Sequence, residues 1–192
     1  MIIGITGGIG SGKSTIAKEF VKRGFQLYDT DAEAKRLIVE DSGLRTDLSA
    51  LLGSDVYEGD VYRTDLVAQR VFQDPDLLCR LNALVHPAVR RDIEHTCCRL
   101  PVACGLIIES ALLFEAGLDD LCDKTVCVTA PEEVRIARTM ARDGVTEDKV
   151  RARIAAQMPE QERAQKADIV LVNDGKEPIS VLVDSLYSTL NK

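Results

Sequence analysis

Residues 7–14 read Gly-Gly-Ile-Gly-Ser-Gly-Lys-Ser, a G-x-x-x-x-G-K-S spacing that is typical of a phosphate-binding loop. Glycines let the backbone turn tightly and point its N–H groups at phosphate oxygens. In this pattern the lysine reaches the β- and γ-phosphates, and the last hydroxyl can ligate Mg²⁺. We therefore predict that the loop binds a nucleoside triphosphate. The predicted contacts are Gly8, Gly10, Ser11, Gly12, Lys13, Ser14 and Thr15, of which Ser14 is the predicted metal ligand.

A row of arginines in the second half of the chain could neutralise the phosphates. Arg135, Arg138 and Arg142 are spaced i, i+3 and i+7, which places them on one face of a helix. Arg151 and Arg153 follow on the next predicted helix. Because the net charge of −7 repels ATP, local cations must reverse the field at the site. We interpret the row as phosphate-binding; the alternative is a solvated face paired with nearby glutamates.

Two carboxylates after the second predicted strand, Asp29 and Asp31, could act on an acceptor hydroxyl. If the backbone stays extended, residues two apart point to the same side, toward the sheet edge where the phosphate loop opens. One of them could then accept the hydroxyl proton and orient the oxygen toward the γ-phosphate. Asp31 also precedes a helix-forming stretch and could instead cap that helix. The spacing leaves both roles open.

Three further polar residues are candidates by position alone. Glu109 ends the third predicted strand, where an acidic side chain could hold a Mg²⁺-bound water or the acceptor hydroxyl. Asn173 ends the fifth predicted strand, near the expected place of a nucleotide base. His86 precedes Pro87 in a helical stretch and receives no catalytic role from its spacing, because an isolated histidine is more often structural.

The elements that must position these residues alternate between apolar strands and helices. Strands that are apolar on both faces are typical of a parallel sheet covered by helices, so the predicted fold class is three-layer α/β. The five predicted strands cover residues 1–6, 25–28, 104–109, 125–129 and 168–172, and the last predicted helix covers residues 178–190.

A long stretch between the second and third strands contains no convincing buried strand. Its predicted helices cover residues 31–40, 43–52, 64–72, 75–85 and 87–100. Open α/β sheets bind ligands at the carboxyl ends of their strands, so we interpret the stretch as a substrate-binding insertion; the alternative is helices that only pack. The predicted single domain comprises a core (residues 1–30, 102–134 and 167–192), this insertion (residues 31–101) and a lid (residues 135–166).

Composition excludes several classes of protein. Apolar residues make up 45% and charged residues 29% of the 192 residues, as in soluble globular proteins. No apolar run is long enough to span a bilayer, and the first residues begin a core strand rather than a signal peptide, so we expect a cytoplasmic protein without a membrane partner. The net charge of −7 argues against a nucleic-acid partner. Composition does not define an oligomeric state.

Together these motifs resemble the dephospho-CoA kinase family over nearly the whole chain. The phosphate loop is common to many enzymes, whereas the His-Pro, Leu-Leu-Phe-Glu and Asn-x-Gly segments are more specific in combination. The segments that carry the resemblance are residues 6–15, 29–31, 81–87, 112–115, 138–143, 153, 157 and 167–175.

The resemblance implies a P-loop NTPase-like fold and transfer of the ATP γ-phosphate, with Mg²⁺, to the ribose 3′-hydroxyl of dephospho-CoA. The products are CoA and ADP. By position, Asp31 corresponds to the base that orients the hydroxyl, and Asn173 to a neighbour of the adenine. The catalytic residues implied are Asp31, Lys13, Arg138 and Arg142. The substrate contacts implied are Asp29, His86, Glu109 and Leu113.

The chain departs from the family pattern after the third predicted strand. Many members read Asp-x-Pro-Leu-Leu where residues 109–113 are Glu-Ser-Ala-Leu-Leu. Two other functions are compatible with the phosphate loop: a nucleoside- or nucleotide-type small-molecule kinase, and a non-catalytic nucleotide switch. The long insertion and the His-Pro segment argue against the first. The absence of a guanine-reading Asn-Lys-x-Asp motif argues against a GTPase switch.

Overall fold

The computed structural model describes residues 1–101 and 104–190 and divides the chain into two units. One unit comprises Met1–Asp29 and Leu100–Lys192, and the other comprises Thr30–Arg99. The predicted core boundary at residue 102 and the predicted core residues 191–192 lie outside the described residues.

The strands are β1 (Ile2–Thr6), β2 (Gln26–Asp29), β3 (Tyr57–Glu58), β4 (Val61–Tyr62), β5 (Leu106–Glu109), β6 (Lys124–Thr129) and β7 (Ile169–Val172). The helices are α1 (Lys13–Val21), α2 (Thr30–Glu40), α3 (Ser42–Leu52), α4 (Thr64–Gln73), α5 (Pro75–Arg99), α6 (Glu132–Asp143), α7 (Glu147–Ala155), α8 (Glu160–Lys166) and α9 (Ile179–Leu190).

A five-stranded sheet forms the centre of the first unit. Its strand order is β2-β5-β1-β6-β7, and every neighbouring pair is parallel. The predicted parallel α/β fold is therefore confirmed. The order places β1, which leads into the phosphate loop, between β5 and β6, so residues that follow all three strands meet at one edge.

Apolar side chains from β1, β6, α1 and α9 form the core of this unit. Ile3, Ile5, Phe20 and Val126 are fully buried, because each strand presents apolar residues on both faces and the helices cover them. The Phe20 ring packs edge-on against Phe25, with ring centroids 5.3 Å apart. This packing fixes α1, and so the helix end that follows the loop, against the sheet.

The boundary between β2 and α2 corrects one expectation. The strand ends at Asp29 and the helix begins at Thr30, so the extended backbone that would point Asp29 and Asp31 to the same side is not present. Asp31 lies in the first turn of α2 and not at the residue before it, so it does not occupy the cap position that was its alternative role. An acidic residue in a first turn still favours the helix, because it faces the positive end of the dipole.

The second unit is helical, with one feature that the sequence pattern did not predict. Residues Tyr57–Glu58 and Val61–Tyr62 form a two-stranded antiparallel hairpin that turns at Gly59, which has a φ of +61°. The ring centroids of Tyr57 and Tyr62 lie 5.1 Å apart, and the guanidinium carbon of Arg45 lies 4.6 Å from the Tyr57 ring centroid. Short strands that depend on such contacts give little periodic signal.

Residues 75–85 and 87–100, predicted as two helices, form one continuous helix, α5. Pro87 lies inside it and removes one main-chain hydrogen bond. The prediction of a break was wrong, because Ala88, Val89 and Ile93 beyond the proline are buried, and their packing holds the helix together. Among the helices of the described residues, none combines the length and apolar character needed to cross a bilayer.

Candidate active site

The phosphate loop joins β1 to α1 and depends on glycines at two positions with positive φ. Gly10 has a φ of +76° and Gly12 a φ of +95°, a region that other residues rarely adopt. A Cβ at Gly10 would lie 2.3 Å from the carbonyl oxygen of Arg135. A Cβ at Gly12 would lie 2.2 Å from Nδ2 of Asn173. The loop therefore needs glycine both for its turn and for the groups packed behind it.

Two oxygen-bearing side chains meet where the loop enters α1. The Ser14 hydroxyl donates a hydrogen bond of 2.5 Å to Oε1 of Glu109, which is 6% exposed. Glu109 ends β5, in register with Ile5 of β1 and with Asp29 of β2. The parallel register thus brings Asp29, Glu109 and the loop to the same sheet edge. Of the two predicted aspartates, Asp29 belongs to this unit and Asp31 to the helical unit.

A cavity of about 460 Å³ lies in front of the loop. The loop residues Lys13, Ser14 and Thr15 line it on one side, and Arg138 and Arg142 of α6 line it on another. The cationic side chains facing this space can offset the charge of a triphosphate. Lys18 of α1 lines it as well, a cation that the sequence pattern did not single out.

Both cavity arginines are already held by acceptors. Arg138 donates from one terminal nitrogen to the main-chain oxygen of Asn173 at 3.1 Å. Arg142 donates through Nε to Oδ1 of Asp143 at 2.7 Å, and this hydrogen bond lowers the pKa of the Asp143 carboxyl. Arg153 donates to the same carboxylate at 3.0 Å. The arginines are therefore oriented by protein contacts before any ligand is considered.

The predicted arginine row does not act as one set. Arg135 is 5% exposed and donates through Nε to the carbonyl of Ile9 at 3.1 Å, so it supports the loop from behind. Arg151 is exposed and pairs with Glu132 and Glu147, as the alternative interpretation stated. The expectation that Arg135 and Arg151 face the phosphates is therefore wrong. Arg135 contacts the back of the loop, and Arg151 contacts glutamates at the surface.

Three other predicted site residues lie against the loop, in the core and in the helical unit. Asn173 is 2% exposed, and its Nδ2 donates to the carbonyl of Ser11 at 2.8 Å, so its side chain holds the loop. Leu113 is fully buried, and a Cβ at Gly4 would lie 2.8 Å from it, which makes it a core residue. The expected substrate contact by the Leu113 side chain is not supported by this placement. His86 is half-buried in α5 of the helical unit.

Comparison with known proteins gives a consistent result. The family model for dephospho-CoA kinase matches residues 1–178. A protein named dephospho-CoA kinase from Porphyromonas gingivalis is 41% identical over 175 residues, which cover 89% of this chain and 85% of that protein.

The chain belongs to the dephospho-CoA kinase family.

Two solved structures share the fold of this chain. A protein from Thermus thermophilus has a TM-score of 0.83 at 39% identity, covering 100% of this chain and 96% of that one. A dephospho-CoA kinase from Campylobacter jejuni has a TM-score of 0.73 at 21% identity, covering 98% of this chain and 96% of that one. The second likeness shows the fold alone, and this fold is P-loop NTPase-like.

One residue in the family's shared segments received no role from its spacing. Gln157 lies between α7 and α8, and its Oε1 accepts a hydrogen bond of 2.9 Å from the Ile9 N–H in the phosphate loop. The only sequence signal was its place in the resemblance, because the two residues are 148 positions apart. Within the described residues, no group of three or more His, Cys, Asp or Glu side chains could hold a metal ion.

Proposed function

We propose that this chain is a dephospho-CoA kinase, which transfers the γ-phosphate of ATP to the ribose 3′-hydroxyl of dephospho-CoA and yields CoA and ADP. The observation that carries the proposal is the cavity in which the phosphate loop faces Arg138 and Arg142, in a chain whose family model spans residues 1–178. Phosphoryl transfer needs little covalent chemistry from the protein, so catalysis is mainly positioning and charge neutralisation.

The loop residues bind the donor. Main-chain N–H groups at the start of α1 point toward phosphate oxygens, and the helix end adds a partial positive charge. Lys13, which lines the cavity, is the cation for the β- and γ-phosphates. Arg138 and Arg142 offset the charge that develops on the transferred group. The contact of Asn173 with Ser11 keeps the loop in place, and its predicted position beside the adenine stays a prediction.

The oxygen donors that meet where the start of α1 contacts the end of β5 fit Mg²⁺. Ser14 supplies a hydroxyl and Glu109 a carboxylate, which are the hard ligands that this ion prefers. Magnesium in such sites is held by one or two protein oxygens together with substrate phosphates. When bound, the ion would neutralise charge on the β- and γ-oxygens. The buried Glu109 holds Ser14 in position for it.

The acceptor hydroxyl needs a carboxylate to orient it and take its proton. Asp31, at the start of α2, is our first candidate, and Asp29, at the sheet edge beside Glu109, is the second. We further propose that Thr30–Arg99 binds the CoA portion of the acceptor, with His86 among its contacts, and that residues 135–166 act as a lid. We propose that the enzyme acts in the cytoplasm, on small molecules and without nucleic acid.

A turnover assay tests the proposal. Purified protein is mixed with ATP, Mg²⁺ and dephospho-CoA, and CoA is measured by mass spectrometry, with Lys13→Ala as the control that lacks the phosphate-binding cation. We expect CoA from the wild type and about a hundredfold less from the variant. Phosphorylation of a nucleoside or nucleotide with no CoA formed would replace the proposal with the other kinase class. ATP binding without acceptor-dependent ADP release would favour a nucleotide switch.

A further inference from the structure

The peptide of Ile9, inside the phosphate loop, is held on both sides by side chains that follow β6. Its N–H donates to Oε1 of Gln157 at 2.9 Å, and its carbonyl accepts from Nε of Arg135 at 3.1 Å. A peptide with both groups engaged has one orientation, because rotating it would break two hydrogen bonds. We call this arrangement, Gln157–Ile9–Arg135, the Ile9 clamp.

The Arg135 side of the clamp is anchored in the interior. The side chain is 5% exposed, and its guanidinium forms a 2.5 Å ion pair with Glu160 of α8. A Cβ at Gly8 would lie 2.8 Å from a terminal nitrogen of Arg135, so this glycine leaves room for the guanidinium. A buried, paired arginine cannot move without leaving an unpaired charge, which makes it a fixed point for the loop.

The Gln157 side is anchored by the chain around it. The Gln157 N–H donates to the carbonyl of Ile154 at 3.1 Å, at the end of α7. The carbonyl of Met158 accepts from Arg163, a side chain that is 1% exposed, at 2.8 Å. The turn that carries Gln157 is therefore fixed to the interior, and the Gln157 amide reaches the loop from a defined place.

We propose that Gln157 and Arg135 are positioning residues that hold the phosphate loop in its ATP-binding conformation. The inference rests on the proposed function, since it concerns the donor site of the same reaction. When a loop adopts its binding-competent conformation only part of the time, the apparent affinity falls by that fraction. Because both clamp residues come from the α6–α8 region, a displacement of this region changes the affinity for ATP.

The test replaces Gln157 with residues that lack its amide oxygen, the acceptor of the hydrogen bond from the Ile9 N–H. Gln157→Met keeps the length of the side chain, and Gln157→Ala is the second variant in case the first does not fold. The matched control is Gln161→Met, the same change at an exposed position of α8. Binding of ATP with Mg²⁺ is measured by calorimetry without acceptor, and the KM for each substrate, kcat and Tm are measured for every protein.

We expect both Gln157 variants to bind ATP about tenfold more weakly, the equivalent of one lost hydrogen bond, with kcat at saturating ATP and the KM for dephospho-CoA close to wild type. Gln161→Met should match the wild type. ATP affinity within about twofold of wild type would overturn the proposal, and so would a lowered Tm with unchanged affinity. Because calorimetry needs no acceptor, a wild type that binds ATP but makes no CoA refutes the proposed function and leaves this test intact.

Discussion

Ser14 and Glu109, 95 positions apart in the chain, are joined by a hydrogen bond of 2.5 Å from the serine hydroxyl to the carboxylate. The contact connects the phosphate loop with the end of β5, and the carboxylate is almost fully buried. The sequence pattern placed an acidic residue at this strand end, and the parallel register of β1 and β5 brings it to the loop. The proposed role of Glu109, which is to hold the Ser14 hydroxyl in position for Mg²⁺, can therefore be tested directly.

Replacing Glu109 tests this role. Glu109→Gln keeps the size of the side chain but removes the charge that orients Ser14 and favours Mg²⁺. We expect activity to fall about tenfold to a hundredfold and the Mg²⁺ concentration for half-maximal rate to rise. Glu109→Asp, the acid that many family members carry, should retain more activity than Glu109→Gln. Magnesium titrations of the rate provide the measurement, and an unchanged titration curve for Glu109→Gln would remove Glu109 from the metal site.

Paired substitutions of the two aspartates identify the base. Asp31→Asn should lower kcat by about a hundredfold or more while calorimetric ATP binding stays close to wild type, because only the acceptor hydroxyl depends on this carboxylate. Asp29→Asn is the matched variant at the end of β2. If the larger loss of kcat follows Asp29→Asn, the base is Asp29. If Asp31→Asn lowers only the Tm, Asp31 stabilises the start of α2 and nothing more.

Gly12 and Gly24 form a controlled comparison, because their φ angles are +95° and +91°. Alanine at either position costs about 1–2 kcal/mol of stability through backbone strain. At Gly12 the methyl group would also displace the Asn173 amide, whereas at Gly24 nothing lies within 4 Å. We expect Gly12→Ala to abolish measurable ATP binding and Gly24→Ala to leave it unchanged. Equal ATP affinities and equal Tm values would mean that the contact with Asn173 has no role in binding.

Asp168 gives a prediction for the pH dependence of stability. Its carboxylate accepts hydrogen bonds of 2.7 Å from the Thr125 hydroxyl and from the Thr125 N–H, and these lower its pKa. A pKa lower in the folded state adds stability above the unfolded value of about 3.9, which is lost as the pH falls through the folded value. Because the side chain is partly exposed, we expect Asp168→Ala to cost about 1 kcal/mol at pH 7.

Urea denaturation at several pH values checks this expectation. The difference in unfolding free energy between wild type and Asp168→Ala should shrink below about pH 4. Thr125→Val removes the hydroxyl partner, so the double variant should cost less than the sum of the two single variants. A difference that stays constant down to pH 2 would show that the carboxylate charge does not contribute.

Local chemistry explains why so much of the architecture could be predicted. Five apolar strands, the glycine-rich loop and most helices were predicted from patterns within about a dozen residues, where periodicity and turn propensity act. The errors occurred where tertiary packing outweighs propensity. Pro87 lies inside a continuous helix because Ala88 and Val89 beyond it are buried, and the Tyr57–Tyr62 hairpin is too short to leave a periodic signal.

The sequence by itself determined that a glycine-rich loop follows a buried strand, and that cationic helices lie elsewhere in the chain. The family resemblance implied roles for Arg138 and Arg142, and both line the cavity. Only the tertiary structure decided that Arg135, on the same helix, contacts the back of the loop. The tertiary structure also decided the contact between Gln157 and Ile9, which are 148 positions apart in the chain. Spacing along a chain fixes which side chains share a helix face, but the packing of that helix against the sheet fixes what the face meets.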